Sequence, residues 1–103
     1  MPEIVLHERA RLDVEEQAAF FAKDSVELAV RLLDQFDRAL RRLLRFLRLA
    51  DSGRLETPDL RGLRRLTMTG LPLSVFYRFS HDTIEIIRVL HHGRDLPPDF
   101  QDF

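Results

Sequence analysis

The sequence predicts an α+β domain in the order β-α-α-β-β-β: a short N-terminal strand, an antiparallel helical hairpin, then a three-stranded antiparallel meander. The helices are expected to pack on one face of the sheet. Three observations predict this class. Apolar residues recur at helical spacing between residues 14 and 47; three short runs rich in Val, Ile, Phe and Tyr follow residue 63; and turn residues separate those runs. With 103 residues, 45% apolar and 32% charged, the chain suits one domain, 1–103, with a single core.

Residues 3–9 (EIVLHER) partly alternate apolar and polar side chains, as a short strand does. Asp13 with Glu16 three residues on forms a capping-box pattern, and Val14, Ala18 and Phe21 share one helical face, which predicts a helix from about 14 to 22. Asp24 and Glu27 repeat the pattern. Val26, Ala29, Val30, Leu33, Phe36, Leu40, Leu43, Leu44 and Leu47 then hold a helical period until Gly53 offers a C-cap. That helix is roughly 36 Å long at ~1.5 Å per residue. The few residues between the helices, KDS, require them to fold back on each other.

After a Pro- and Gly-containing loop, RLETPDLRG, the runs LRRLTMT, LSVFYRF and TIEIIRVLH read as strands, joined by turns at Gly70-Leu71 and His81-Asp82. These turns oppose positions 79/84, 77/86 and 75/88, and also 68/73, 66/75 and 64/77. One face then carries Leu66, Met68, Leu73, Val75, Tyr77, Phe79, Ile84, Ile86 and Leu90 and is expected to meet the helices. The other carries Leu63, Arg65, Phe76, Arg78, Glu85, Ile87, Val89 and His91, with Arg78 opposite Glu85. It is too apolar for plain solvent surface and is expected to be covered.

The absence of cysteine excludes disulfides, thiolate metal sites and Cys nucleophiles. The N-terminal residues carry no signal-peptide pattern and no apolar run approaches the ~20 residues of a membrane span, so a cytoplasmic protein with no membrane partner is expected. Net charge is −1 but uneven: residues 31–65 hold ten arginines against five acids, while both flanks are acidic. Arg31, Arg38, Arg41, Arg42, Arg45 and Arg48 on the long helix suit nucleic-acid phosphates. They also suit self-pairing, because Glu27/Arg31, Asp34/Arg38 and Asp37/Arg41 are acid-before-base pairs at i,i+4. The pairing pattern favours a solvated face, with no sequence-specific nucleic-acid binding.

The adjacent His91 and His92 cannot chelate one ion, since neighbours on a strand point to opposite faces, and no metal or cofactor is expected. His91 or His92 with Arg94, Arg65 and Arg78 would form an acid/base and phosphate-clamping set for RNA cleavage. The plainer reading has His91 capping a strand and Arg94 pairing with Asp95.

The element order, together with LRGLRRLTM, LPLSVFYRF and IEIIRVLHHGRDLPPDF, resembles the RelE/ParE superfamily of type II toxins, and specifically its ParE branch. The most specific part is the ending formed by Ile84, Ile86, Arg88, Val89, Leu90, His91, Arg94 and Asp95. The resemblance implies a plasmid-stabilisation or stress-type toxin that poisons DNA gyrase by binding, not by catalysis, and is neutralised by a ParD-like antitoxin in a hetero-oligomeric complex. The related RelE branch implies the alternative, a ribosome-dependent mRNA endoribonuclease often using a tyrosine near the C-terminus. The only tyrosine here is Tyr77, within a strand.

Phe20, Phe36, Ala39 and Leu43 lie partly off the stripe assigned to the sheet and are the expected antitoxin contacts. Arg88, His91, His92 and Arg94, with Phe100 and Phe103 in the acidic, aromatic tail beyond Pro97 and Pro98, are the expected target or partner contacts.

Overall fold

The structure, a computed structural model, describes residues 3–50 and 64–92. Six elements follow in order: β1 (Glu3–Leu6), α1 (Glu8–Ala22), α2 (Val26–Ala50), β2 (Arg64–Thr67), β3 (Leu73–Ser80) and β4 (Thr83–His91). The strands form one sheet in the order β1-β4-β3-β2. The meander is antiparallel, and β1 adds in parallel to the outer edge of β4, pairing Glu3 to Thr83 and Leu6 to Ile86. The sheet is therefore four-stranded and mixed, within the expected α+β class. Gly53, the expected loop after it and the tail from Gly93 lie outside the described residues.

The core sits between the helices and one sheet face. Ala10 and Val14 of α1 and Leu32, Phe36, Ala39 and Leu43 of α2 pack with Leu73, Val75, Tyr77, Ile84, Ile86 and Val89. Burying such side chains is worth ~1.5–3 kcal/mol each, the main stabilising contribution to a domain this small. The opposite face is buried only in part: Phe76, Ser74 and Leu90 are buried, whereas Arg65 and Arg78 are exposed.

Both expected helix starts shift. Helix α1 begins at Glu8, with His7 in extended conformation at its N-cap, so Asp13 lies in the second turn and caps nothing. The reason is tertiary: His7 donates its backbone N–H to the Ile86 carbonyl at 3.1 Å and its Nε2 lies 2.9 Å from Glu85 Oε1, ending β1 against β4 and turning the chain into the helix at once. At α2 the capping side chain is Ser25, whose Oγ accepts the Glu27 N–H at 3.1 Å, in place of Asp24.

The turn positions hold. The Met68 N–H reaches the Leu73 carbonyl at 2.9 Å across a loop that includes Gly70 (φ +74°), and His81 and Asp82 both adopt positive φ, at 52° and 61°, as a tight I′-like turn needs. Register departs once. Phe79/Ile84 and Tyr77/Ile86 pair as expected, but Phe76 then opposes Arg88 and Val75 opposes Val89, so the expected 75/88 pair is replaced by 75/89. A bulge at Ile87 inserts one residue in β4 and reverses the alternation beyond it, which brings Val89 into the core and sends Leu90 to the other face beside Ser74.

Candidate functional site

At the C-terminal end of β4, strand pairing assembles a small polar cluster. Ser74 on β3 is fully buried, and its Oγ lies 2.5 Å from His92 Nε2. The His92 N–H donates to the Pro72 carbonyl at 2.9 Å, so backbone and ring are both held. Burial above all, and then the electrostatic influence of nearby Arg65 and His91, hold the His92 pKa below the usual histidine value. A neutral ring anchored on a buried hydroxyl results.

The other members of the expected RNA-cleaving set are not all gathered there. Arg65, on the edge strand β2, is near enough to act on His92, and His91 opposes Leu73. Arg78 opposes Glu85, four residues along β3 from Ser74, or about 13 Å at the usual strand rise. Arg94 lies outside the described residues, as do Phe100 and Phe103.

Arg88 is not a free contact residue. Its Nε donates to Asp13 Oδ2 at 2.7 Å and its Nη2 to Asp13 Oδ1 at 3.2 Å, while the Val89 N–H also donates to Oδ2 at 3.0 Å. Arg9 Nη2 lies 3.4 Å from the same carboxylate, which is only 3% exposed. β1 ends at Leu6, and beyond it Asp13 of α1 takes the Val89 N–H of β4.

The helix residues expected to meet an antitoxin divide. Phe36, Ala39 and Leu43 are buried in the chain's own core, so the expectation that they await a partner is corrected; Phe20 remains 40% exposed. In their place Val26, Val30 and Leu33, at 70%, 59% and 51% exposure, form a row at i, i+4 and i+7 on α2. The helical period includes these three together with Phe36 and Leu43 and does not by itself say which of them meet the sheet. Yet the three lie about 120° round the helix from Leu32, Phe36, Ala39 and Leu43, and an apolar sector that wide exceeds what one sheet contact covers. That width was the available signal.

On the basic side of α2, Arg38 Nε bonds Asp34 and Arg41 Nε bonds Asp37, both at 3.0 Å, as the spacing predicts. Arg31 does not follow Glu27 but reaches over the β2–β3 loop, its Nη2 2.9 Å from where a Cβ on Gly70 would stand. Among the described residues no group of three or more His, Asp or Glu side chains is placed to hold a metal, and no helix is long and apolar enough to cross a membrane.

The family model for the ParE toxin of type II toxin-antitoxin systems, parDE, matches residues 4–96. The chain belongs to the ParE toxin family. A solved structure described as a chromosomal ParDE TA system from P. aeruginosa resembles it with a TM-score of 0.65 and 18% identity, over 88% of this chain and 95% of that one. At that identity the likeness is one of fold. No curated protein sequence matches. In this ParE-type toxin the polar cluster around His92 and the apolar row on α2 occupy separate parts of the fold, the first on the sheet end and the second on the helical hairpin.

Proposed function

We propose that this ParE-type toxin acts by binding DNA gyrase and stalling it on cleaved DNA, and that a ParD-like antitoxin neutralises it in a hetero-oligomeric complex in the cytoplasm. The observation that carries the antitoxin half is the row Val26, Val30 and Leu33, three large apolar side chains left more than half exposed on a well-formed helix. An amphipathic antitoxin helix laid along that row would bury them at ~1.5–3 kcal/mol each, enough to support tight binding after association costs. Phe20, at the end of α1, is a further anchor for the same partner.

Non-enzymatic action on the target is supported by the state of the candidate catalytic groups. His92 has a ring nitrogen engaged by buried Ser74, and Arg78, opposite Glu85, stands about 13 Å along β3 from Ser74, so of the described candidates only Arg65 and His91 lie near His92. The test uses purified free toxin in two assays. Loss of supercoiling with accumulation of gyrase-linked DNA breaks, and intact mRNA in a coupled translation reaction, is the expected result. Ribosome-dependent mRNA cleavage with unaffected gyrase would replace the proposal with the RelE-type reading.

A further inference from the structure

We infer that the basic groove beside α2 is a sequence-independent binding site for the phosphodiester backbone of duplex DNA. The groove, about 360 Å³, is lined by Gln35, Arg38, Ala39, Arg41, Arg42 and Arg45 of α2 and by Thr69 of the β2–β3 loop. Three features give it the chemistry of a phosphate site.

The cations are guanidinium groups: fifteen of the sixteen basic residues of the chain are arginine, the side chain whose planar fork matches phosphate oxygens. Asp34 and Asp37 bond Arg38 and Arg41 through Nε, which orients each guanidinium and leaves its outer Nη groups clear of those bonds. Gln35 and Thr69 add neutral side-chain donors to the lining.

Rigidity decides between possible polyanions. Arg38, Arg41 and Arg45 form a row about 10 Å long on one face of a 25-residue helix, so the spacing of their backbone positions is fixed. A duplex presents evenly spaced phosphates already ordered, whereas a single strand or an acidic peptide has to be ordered on binding. The chain's net charge of −1 means that bulk attraction does not bring DNA to it, and any affinity must be local. The inference needs neither gyrase nor an antitoxin, and it fails or holds independently of both.

The test is fluorescence anisotropy of a labelled duplex of about 20 base pairs with the full chain, from about 50 to 200 mM salt. Expected is a Kd of about 10⁻⁴–10⁻⁶ M that weakens with salt, with Arg38→Gln/Arg45→Gln losing about tenfold or more in affinity and about 2 from the log–log salt slope. The equal charge loss Arg11→Gln/Lys23→Gln, on α1 and the hairpin tip, is expected to change neither. No measurable binding, an unchanged slope in the first variant, or equal loss in the second would overturn the site. Tighter binding of a single-stranded RNA of the same length, or of polyglutamate, would overturn the duplex assignment.

Discussion

Replacing Asp13 by Ala removes the acceptor that closes the free stretch of β4. The wild-type carboxylate accepts from Arg88 Nε, Arg88 Nη2 and the Val89 N–H, with Arg9 alongside, while being almost wholly buried. Removing one partner of a buried ion pair costs ~3–5 kcal/mol where the survivor stays desolvated, and an orphaned buried N–H costs ~1–3 kcal/mol. The Arg88 side chain is 26% exposed, so water repairs part of the first loss. A net destabilisation of about 2–4 kcal/mol follows, or roughly 10–25 °C in Tm for a domain of this size. Asp13→Asn keeps an oxygen for the Val89 N–H and is expected to lose only about half as much. In a double-mutant cycle with Arg88→Ala, measured by urea unfolding, the coupling should exceed ~1.5 kcal/mol. An Asp13→Ala protein within about 0.5 kcal/mol of wild type would refute the reasoning, because it would mean that the β4 edge is satisfied without α1.

Gly70→Ala places a Cβ at φ +74°, a conformation costing an L-residue ~1–2 kcal/mol, and 2.9 Å from Arg31 Nη2. The arginine tip can move and the backbone cannot, so urea melts should show a loss of ~1–2 kcal/mol that Arg31→Ala does not restore. His92, with its folded pKa below the unfolded value of about 6.5, resists protonation in the fold. Its contribution is therefore intact above about pH 6.5 and is lost as pH falls from there toward the lower folded value. The stability difference between wild type and His92→Gln should shrink over that acid window, and a pH-independent difference would contradict the assignment. Val30→Asp and Leu33→Asp, at exposed positions, should each leave stability within ~0.5 kcal/mol of wild type while weakening antitoxin binding by about tenfold to a hundredfold in calorimetry. Unchanged affinity in both would place the antitoxin elsewhere.

The sequence alone determined the features written in short-range chemistry. The apolar period that makes α2 a helix, the β-rich runs of the meander, and turns at Gly70 and at His81-Asp82 all depend on residues within a few positions of one another. The family resemblance rested on the element order and on the segments of the meander and the ending after it, and the family model matches residues 4–96. Tertiary structure decided what depends on distant partners. β1 pairs with β4 across about eighty residues, and Asp13, which reads locally as a cap, binds Arg88 seventy-five positions away. A two-residue alternation extrapolated through Ile87 cannot contain the bulge that exchanges Val89 and Leu90 between faces. The apolar pattern of α2 likewise shows how much of its surface avoids water but not which part the sheet occupies. Only packing placed Phe36, Ala39 and Leu43 inside and left Val26, Val30 and Leu33 outside, because a helix wider in apolar surface than its contact can turn either sector inward until the sheet's shape chooses.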